Sequence, residues 1–123
     1  MVKTSCTTHV ATNLAMKAGR ILAAHTFADE AGDRERRDTL RCRVRAMESE
    51  ATWHRAGSPE AAFLQIGVAR GIVDRMPDVE EREALNRVLA SVAGLLEAST
   101  GVTRESAGLA FYGTAETDAE LWV

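Results

Sequence analysis

The sequence is poor in the features that mark specialised classes of protein. Cysteine occurs twice, at Cys6 and Cys42, far apart and in no CxxC pair. That spacing excludes a disulfide scaffold, and both thiols are expected to be free in a reducing compartment. Proline also occurs only twice, at Pro59 and Pro77. The longest uncharged apolar run, around Val88 to Leu96, is about half of the roughly 20 residues that a bilayer crossing requires. Met1 to Ser5 has no apolar segment behind Lys3, so no secretory signal is read there. A cytoplasmic location without membrane association is the expectation. Neither sign of charge dominates. The net charge is −3, so nothing global draws the chain toward nucleic acid or an anionic membrane. Aromatic residues are 5% of the chain, and no stacking set accompanies its basic segment.

What is present is ordinary globular material, 46% apolar and 27% charged. The 123 residues suit one domain. A domain of this size buries about two thirds of its unfolded surface, enough for one core without metal or disulfides. There is no internal repeat, low-complexity tract or dividing linker. Arginine outnumbers lysine 13 to 2, which fits a GC-rich genome. A small bacterial or phage accessory or regulatory protein is the expectation.

Helix signals organise the chain. Ser58-Pro59-Glu60 opens one helix, Met76-Pro77-Asp78 closes it and opens the next, and Gly101 ends that one. The helix over 59–76 carries Phe63, Leu64, Ile66, Val68, Ala69, Ile72, Val73 and Met76 around more than half its circumference. Gly67 and Gly71 sit on the remainder, and each costs about 1 kcal/mol relative to alanine, so a close neighbour is expected there. The helix from Asp78 to Gly101 has aspartate as cap with Glu81 three residues on. Its Leu85, Val88, Leu89, Val92, Leu95 and Leu96 form one stripe, which is expected to face the core, with Glu83, Arg87, Gly94 and Glu97 outward.

Two earlier helices are expected. The first runs from Thr8 to about Ala31, with Thr7 or Thr8 as cap and Gly32 past its end. Val10, Leu14, Ala18, Ile21, Leu22, His25 and Ala28 share one face, and Met16, Ala23 and Phe27 start a second. The next runs from Asp33 to Ala56, with Leu40, Val44, Met47, Ala51 and His54 as a seam. Leu40 to Ala46 also alternates with period two, as a strand would. The helical seam continues beyond that stretch and no partner strand exists, so helix is preferred. After Gly101, Thr103 is expected to cap a short helix through Tyr112, broken at Gly108, and Thr114 a last turn through Leu121. Short connections then give an all-α, antiparallel up-down-up-down bundle over residues 1–101, with residues 102–123 as a short helical or arm-like appendage.

No motif carries catalysis. GxGxxG, Walker A, GxSxG, HExxH and the EF-hand loop are all lacking. Cys6 and His9 are spaced CxxH, with His25, Cys42 and His54 elsewhere, but the spacing between them fits no zinc module. Neither a metal nor a cofactor is expected, and no catalytic residue is nominated. The acids of the fourth helix start and the tail read as capping groups. Arg34, Arg36, Arg37, Arg41, Arg43 and Arg45 oppose only Glu35 and Asp38, giving this segment +4. Such a run is usually a solvated face, here able to pair with Glu48, Glu50 or acids on a neighbouring helix. Nucleic-acid association through Arg34–Arg45 is the alternative, and a small enzyme or metal protein a further one.

The sequence therefore points to a non-enzymatic helical protein acting through protein–protein association. Self-association, as a twofold dimer, and an unidentified protein partner are both expected. The surplus apolar arc is placed on the first and third helices. The residues nominated for the interaction surface are Gly67, Gly71, Arg41, Arg43, Arg45, Leu121 and Trp122, and Trp122 is expected to be largely buried against its own bundle or another subunit.

Overall fold

In the computed structural model the backbone of residues 2–123 and the side chains of residues 10–123 are described. The chain is an all-α bundle of four long helices with a short C-terminal helical segment. The elements are α1 (Val2–Glu30), α2 (Arg34–Ala51), α3 (Pro59–Val73), α4 (Val79–Thr100), the 3-10 turn η1 (Ala110–Tyr112), α5 (Ala115–Asp118) and the 3-10 turn η2 (Ala119–Trp122).

Local chemistry sets most of the boundaries. Gly32 takes a φ of 75° just past α1. The amides of Gly32 and Asp33 turn back to the carbonyls of Asp29 and Ala28, closing the helix end. Asp33, Ser58, Asp78 and Thr114 each accept from the amide three residues on, opening α2, α3, α4 and α5. Leu40 to Ala46 is helical, so the seam prevailed over the period-two alternation. Several boundaries differ from the sequence reading: α3 ends at Val73, not Met76, and the helix expected from Thr103 through Tyr112 is only a run of turns ending in η1. α1 begins at Val2, so Thr7 and Thr8 lie within it and are not its caps. α2 stops at Ala51, five residues early. There Gln65 Nε2 donates to the carbonyls of both Ala51 and His54, which fastens an irregular exit to α3. His54 consequently leaves the seam and bonds Glu50 Oε1 at 3.0 Å.

The core lies where α1, α2 and α3 meet. Ala15, Ala18, Ile21, Leu22 and Ala28 of α1 pack with Leu40, Val44 and Ala51 of α2 and with Phe63 and Leu64 of α3. The second stripe expected on α1 is outside: Met16, Ala23 and Phe27 are exposed. The C-terminal segment belongs to the core, since Leu109 and Tyr112 are buried in the same cluster. Gly67 explains how. A Cβ there would overlap the ring and Cβ of Tyr112, so the glycine opens the seat that this aromatic fills. The phenol then donates to Glu48 Oε2 at 2.8 Å, tying the tail to α2. Burial and that bond together push the Tyr112 hydroxyl far above its ordinary range.

α4 stands apart from this arrangement. It packs on α3 and on the C-terminal segment, and makes no substantial contact with α1 or α2 among the described residues. It is the outer layer of the bundle, and one of its long sides has no neighbour.

Candidate association surface

The orientation of α4 is set by a buried ion cluster. Arg104, 2% exposed, is the largest fully buried side chain among the described residues. Its Nη1 donates to Asp118 Oδ2 at 2.6 Å, and its Nη2 and Nε donate to Glu97 Oε1 and Oε2 at 3.1 and 3.3 Å. The Arg104 amide also donates to Glu97 Oε2 at 2.9 Å. Asp118 Oδ1 in turn accepts from Arg70 Nη1 of α3 at 2.9 Å. Gly113 passes through this cluster, where a Cβ would lie 2.8 Å from Arg70 Nη1 and 3.2 Å from Asp118 Oδ1. Burial pushes the Glu97 carboxyl up, but the hydrogen bonds and charge of Arg104 outweigh it and hold the carboxyl below its ordinary range. For Arg104, burial works against the charge, and the bonds from Glu97 and Asp118 more than restore it. Residues 102–123 are thus clamped to α3 and α4 by charge as well as by Leu109 and Tyr112.

Glu97 can reach Arg104 only if its side of α4 faces inward. Asn86, Ala90, Ala93 and Glu97, at spacings of four, three and four, lie on that side. Ala90 and Ala93 are buried, while Asn86 and Glu97 are half-buried. The opposite side is Leu85, Val88, Val92 and Leu95, which are 40%, 57%, 44% and 68% exposed. Of the stripe expected to enter the core, these four residues face solvent, whereas Leu89 and Leu96 are half-buried and Leu96 packs against the core. Of the face expected outside, Glu83 is exposed, but Arg87, Gly94 and Glu97 are half-buried. Small inner residues let α4 lie close on α3, and the carboxylate needs its cation, so these two requirements overrode hydrophobicity.

The exposed side has the spacing of a heptad seam, three-four-three from Leu85 to Leu95. Ala84, Ser91 and Ala98 lie along one flank and are exposed, and Leu89 and Leu96 lie half-buried along the other. No charged residue falls on this side between Ala84 and Ser99. η2 packs against α4 and carries Leu121, half-buried, and Trp122, 57% exposed. Trp122 is therefore not buried on its own bundle: Tyr112 and Leu109 have filled the interior, and the tail's last residues lie at the rim.

The remaining nominated residues are scattered. Gly67 is buried under Tyr112, so its close neighbour is internal and it presents no surface. Gly71 is exposed with no heavy atom near a Cβ position, so the close approach expected there does not occur. Arg41, Arg43 and Arg45 are exposed on α2. Glu48 and Glu50 bond Tyr112 and His54 instead of the arginines, while Arg37 of the run pairs with Asp29 of the neighbouring α1 at 3.1 Å, one of the pairings expected. The side chains of Cys6 and His9 lie outside the described residues. Among the described residues Cys42 is exposed, His25 Nε2 is buried without a hydrogen-bond partner, and no three of His, Cys, Asp and Glu gather as metal ligands. No helix of the described residues is long and apolar enough to cross a membrane.

The ion cluster was missed in the sequence, although one signal pointed to it. From Val88 to the C-terminus Arg104 is the sole basic residue, surrounded by Glu97, Glu105, Glu116, Asp118 and Glu120. Comparison of the chain with protein families, with curated proteins and with solved structures finds no match.

Proposed function

We propose that this chain is an association module that pairs with a second copy of itself through the outer side of α4. The observation that carries this reading is the uncharged, solvent-facing seam of Leu85, Val88, Val92 and Leu95. Monomeric proteins seldom leave contiguous apolar patches beyond a few hundred Å² uncovered, and closed twofold pairing is the commonest way to cover one. Leu109 and Tyr112 join the core beside α1 and α3, and although Met16 and Phe27 of α1 are also exposed, the outer side of α4 offers four large apolar residues in one continuous seam.

Charge selects the direction of pairing. Glu80, Glu81 and Glu83 crowd the first turns of α4, whereas residues 98–103 carry no charge. Parallel copies would place the two acidic turns together. Antiparallel copies place each acidic turn beside an uncharged helix end, with Leu85 opposite the partner's Leu95 and Val88 opposite the partner's Val92. One such face is about half of the ~800 Å² per partner of a standard interface. Even with Leu121 and Trp122 added, the expected affinity is micromolar rather than nanomolar. Sedimentation equilibrium across a concentration series tests this. The wild-type chain is expected to pass from monomer to dimer, and Leu95→Glu to remain monomeric with an unchanged circular dichroism spectrum. A wild-type chain that stays monomeric throughout, or a variant that still dimerises, overturns the reading.

A further inference from the structure

The groove between α1 and α2 has a lining unlike the rest of the surface. Leu14, Lys17 and Ile21 share a side of α1 at i, i+3 and i+7, and Arg43, Ala46 and Met47 share one of α2. Together with Arg20 they line an open groove of about 570 Å³, a volume within the range of small-molecule sites. Three cations share the lining with apolar residues, and among the described residues no acid lines the groove. Lys17, Arg20 and Arg43 are exposed, and among the described residues none of them is ion-paired. The acids nearest in sequence to Arg43 are occupied: Asp38 by Arg37, Glu48 by Tyr112, Glu50 by His54. Arg20 also borders the neighbouring depression that contains Glu60 and forms no ion pair with it.

This combination has two unmet demands. Among the described residues the cations have no ion-paired counter-charge, and the half-buried Leu14 and Met47 keep part of the apolar lining in contact with water. One ligand class meets both demands. We propose that the α1–α2 groove binds a single-chain amphiphile with an anionic head, its hydrocarbon on Leu14, Ile21 and Met47 and its carboxylate or phosphate on Arg20, Arg43 and Lys17. Guanidinium groups suit such heads because they present paired N–H donors to two oxygens. A polynucleotide fits less well. It would leave the apolar lining unused, and no aromatic side chain lines the groove to stack a base.

The test is calorimetric titration of the whole protein with decanoate and decyl phosphate below their micelle concentrations. Decanol, inorganic phosphate, phosphatidylglycerol vesicles and a short oligonucleotide are run beside them. Saturable binding of one decanoate or decyl phosphate per chain is expected, with decanol and inorganic phosphate weaker by about tenfold or more, a 1.4 kcal/mol difference. The double variant Arg20→Gln, Arg43→Gln changes only exposed side chains and is expected to keep its melting temperature while losing affinity by a similar factor. Leu95→Glu is expected to bind like wild type, which separates this groove from the α4 face. Binding to the vesicles with neither amphiphile bound would mean a bilayer surface instead of a single-chain ligand and would overturn the proposal. Equal binding of decanol, undiminished binding by the double variant, or binding of the oligonucleotide without either amphiphile would overturn it.

Discussion

Replacing Asp118 with alanine removes the carboxylate that ties the C-terminal segment to Arg70 of α3 and also holds Arg104, whose remaining bonds reach Glu97 of α4. Its side chain is 7% exposed and accepts from Arg104 at 2.6 Å and from Arg70 at 2.9 Å. Breaking a buried pair by removing one partner costs about 3–5 kcal/mol, because the other charge is left uncompensated. Two features place this site at the low end of that range. Arg104 keeps its two bonds to Glu97, and Arg70, 18% exposed, regains water while retaining the Tyr112 carbonyl at 3.3 Å. The expected loss is about 3 kcal/mol, or a fall in melting temperature of roughly 10–15 °C for a domain of this size. Urea denaturation followed by circular dichroism measures it. Doing so in the Leu95→Glu background removes any contribution from pairing. Amide exchange should show residues 102–118 losing protection first, since they hold the freed end. A loss below about 1 kcal/mol, with those amides still protected, would refute the reasoning. It would mean that Leu109 and Tyr112 alone dock the tail and that the cluster is decoration.

Other consequences are smaller in scope. Gly67→Ala sets a methyl against the Tyr112 ring, which Glu48 holds in place; overpacking of this kind costs about 1–3 kcal/mol, read from the urea midpoint. The Glu97 carboxyl titrates lower in the folded chain than in the unfolded one, whose value is near the ordinary 4.5. Its contribution to stability is therefore complete above that value and is lost as pH falls through the lowered one. Stability is expected to drop on acidification below about pH 5, and Glu97→Gln to flatten part of that drop; an unchanged slope would contradict the assignment. Trp122→Ala is expected to change monomer stability by about 0.5 kcal/mol or less, as exposed substitutions usually do, which a thermal melt of the Leu95→Glu variant can check.

The backbone signals were readable because they act locally. Gly32, Ser58, Asp78, Gly101 and Thr114 each do at a helix end what their side chain or its absence dictates, and the structure has them in those roles. The core of α1 and α2 was also readable, since Ala18, Ile21, Leu22, Leu40 and Val44 are buried on the stripes that periodicity identified. Orientation of α4 was not. Periodicity finds an apolar side but not what that side meets, and here the inward side consists of two alanines, an asparagine and a glutamate whose partner lies beyond the helix. Gly67 signalled a close neighbour correctly, yet the neighbour was a tyrosine from the tail, a long-range pairing that no local rule encodes. The early end of α2 has the same character, because it depends on Gln65 of the following helix. Of the association surface, Leu121 and Trp122 stand out in the sequence as an apolar pair in an acidic tail, whereas the α4 seam reads as core.

The central claim is that the outer sides of two α4 helices meet antiparallel. Cross-linking by introduced cysteines tests it most directly, in a chain whose native thiols are removed by Cys6→Ser and Cys42→Ser. Val88→Cys and Val92→Cys chains are mixed under mild oxidation, with Glu80→Cys as an off-face control. The account predicts that the mixed 88–92 disulfide forms faster than either like-with-like product, and that the control gives little of any. Faster like-with-like linkage would mean parallel pairing. No linkage at either seam position, in protein concentrated enough to populate a dimer, would contradict the claim that this face joins two copies.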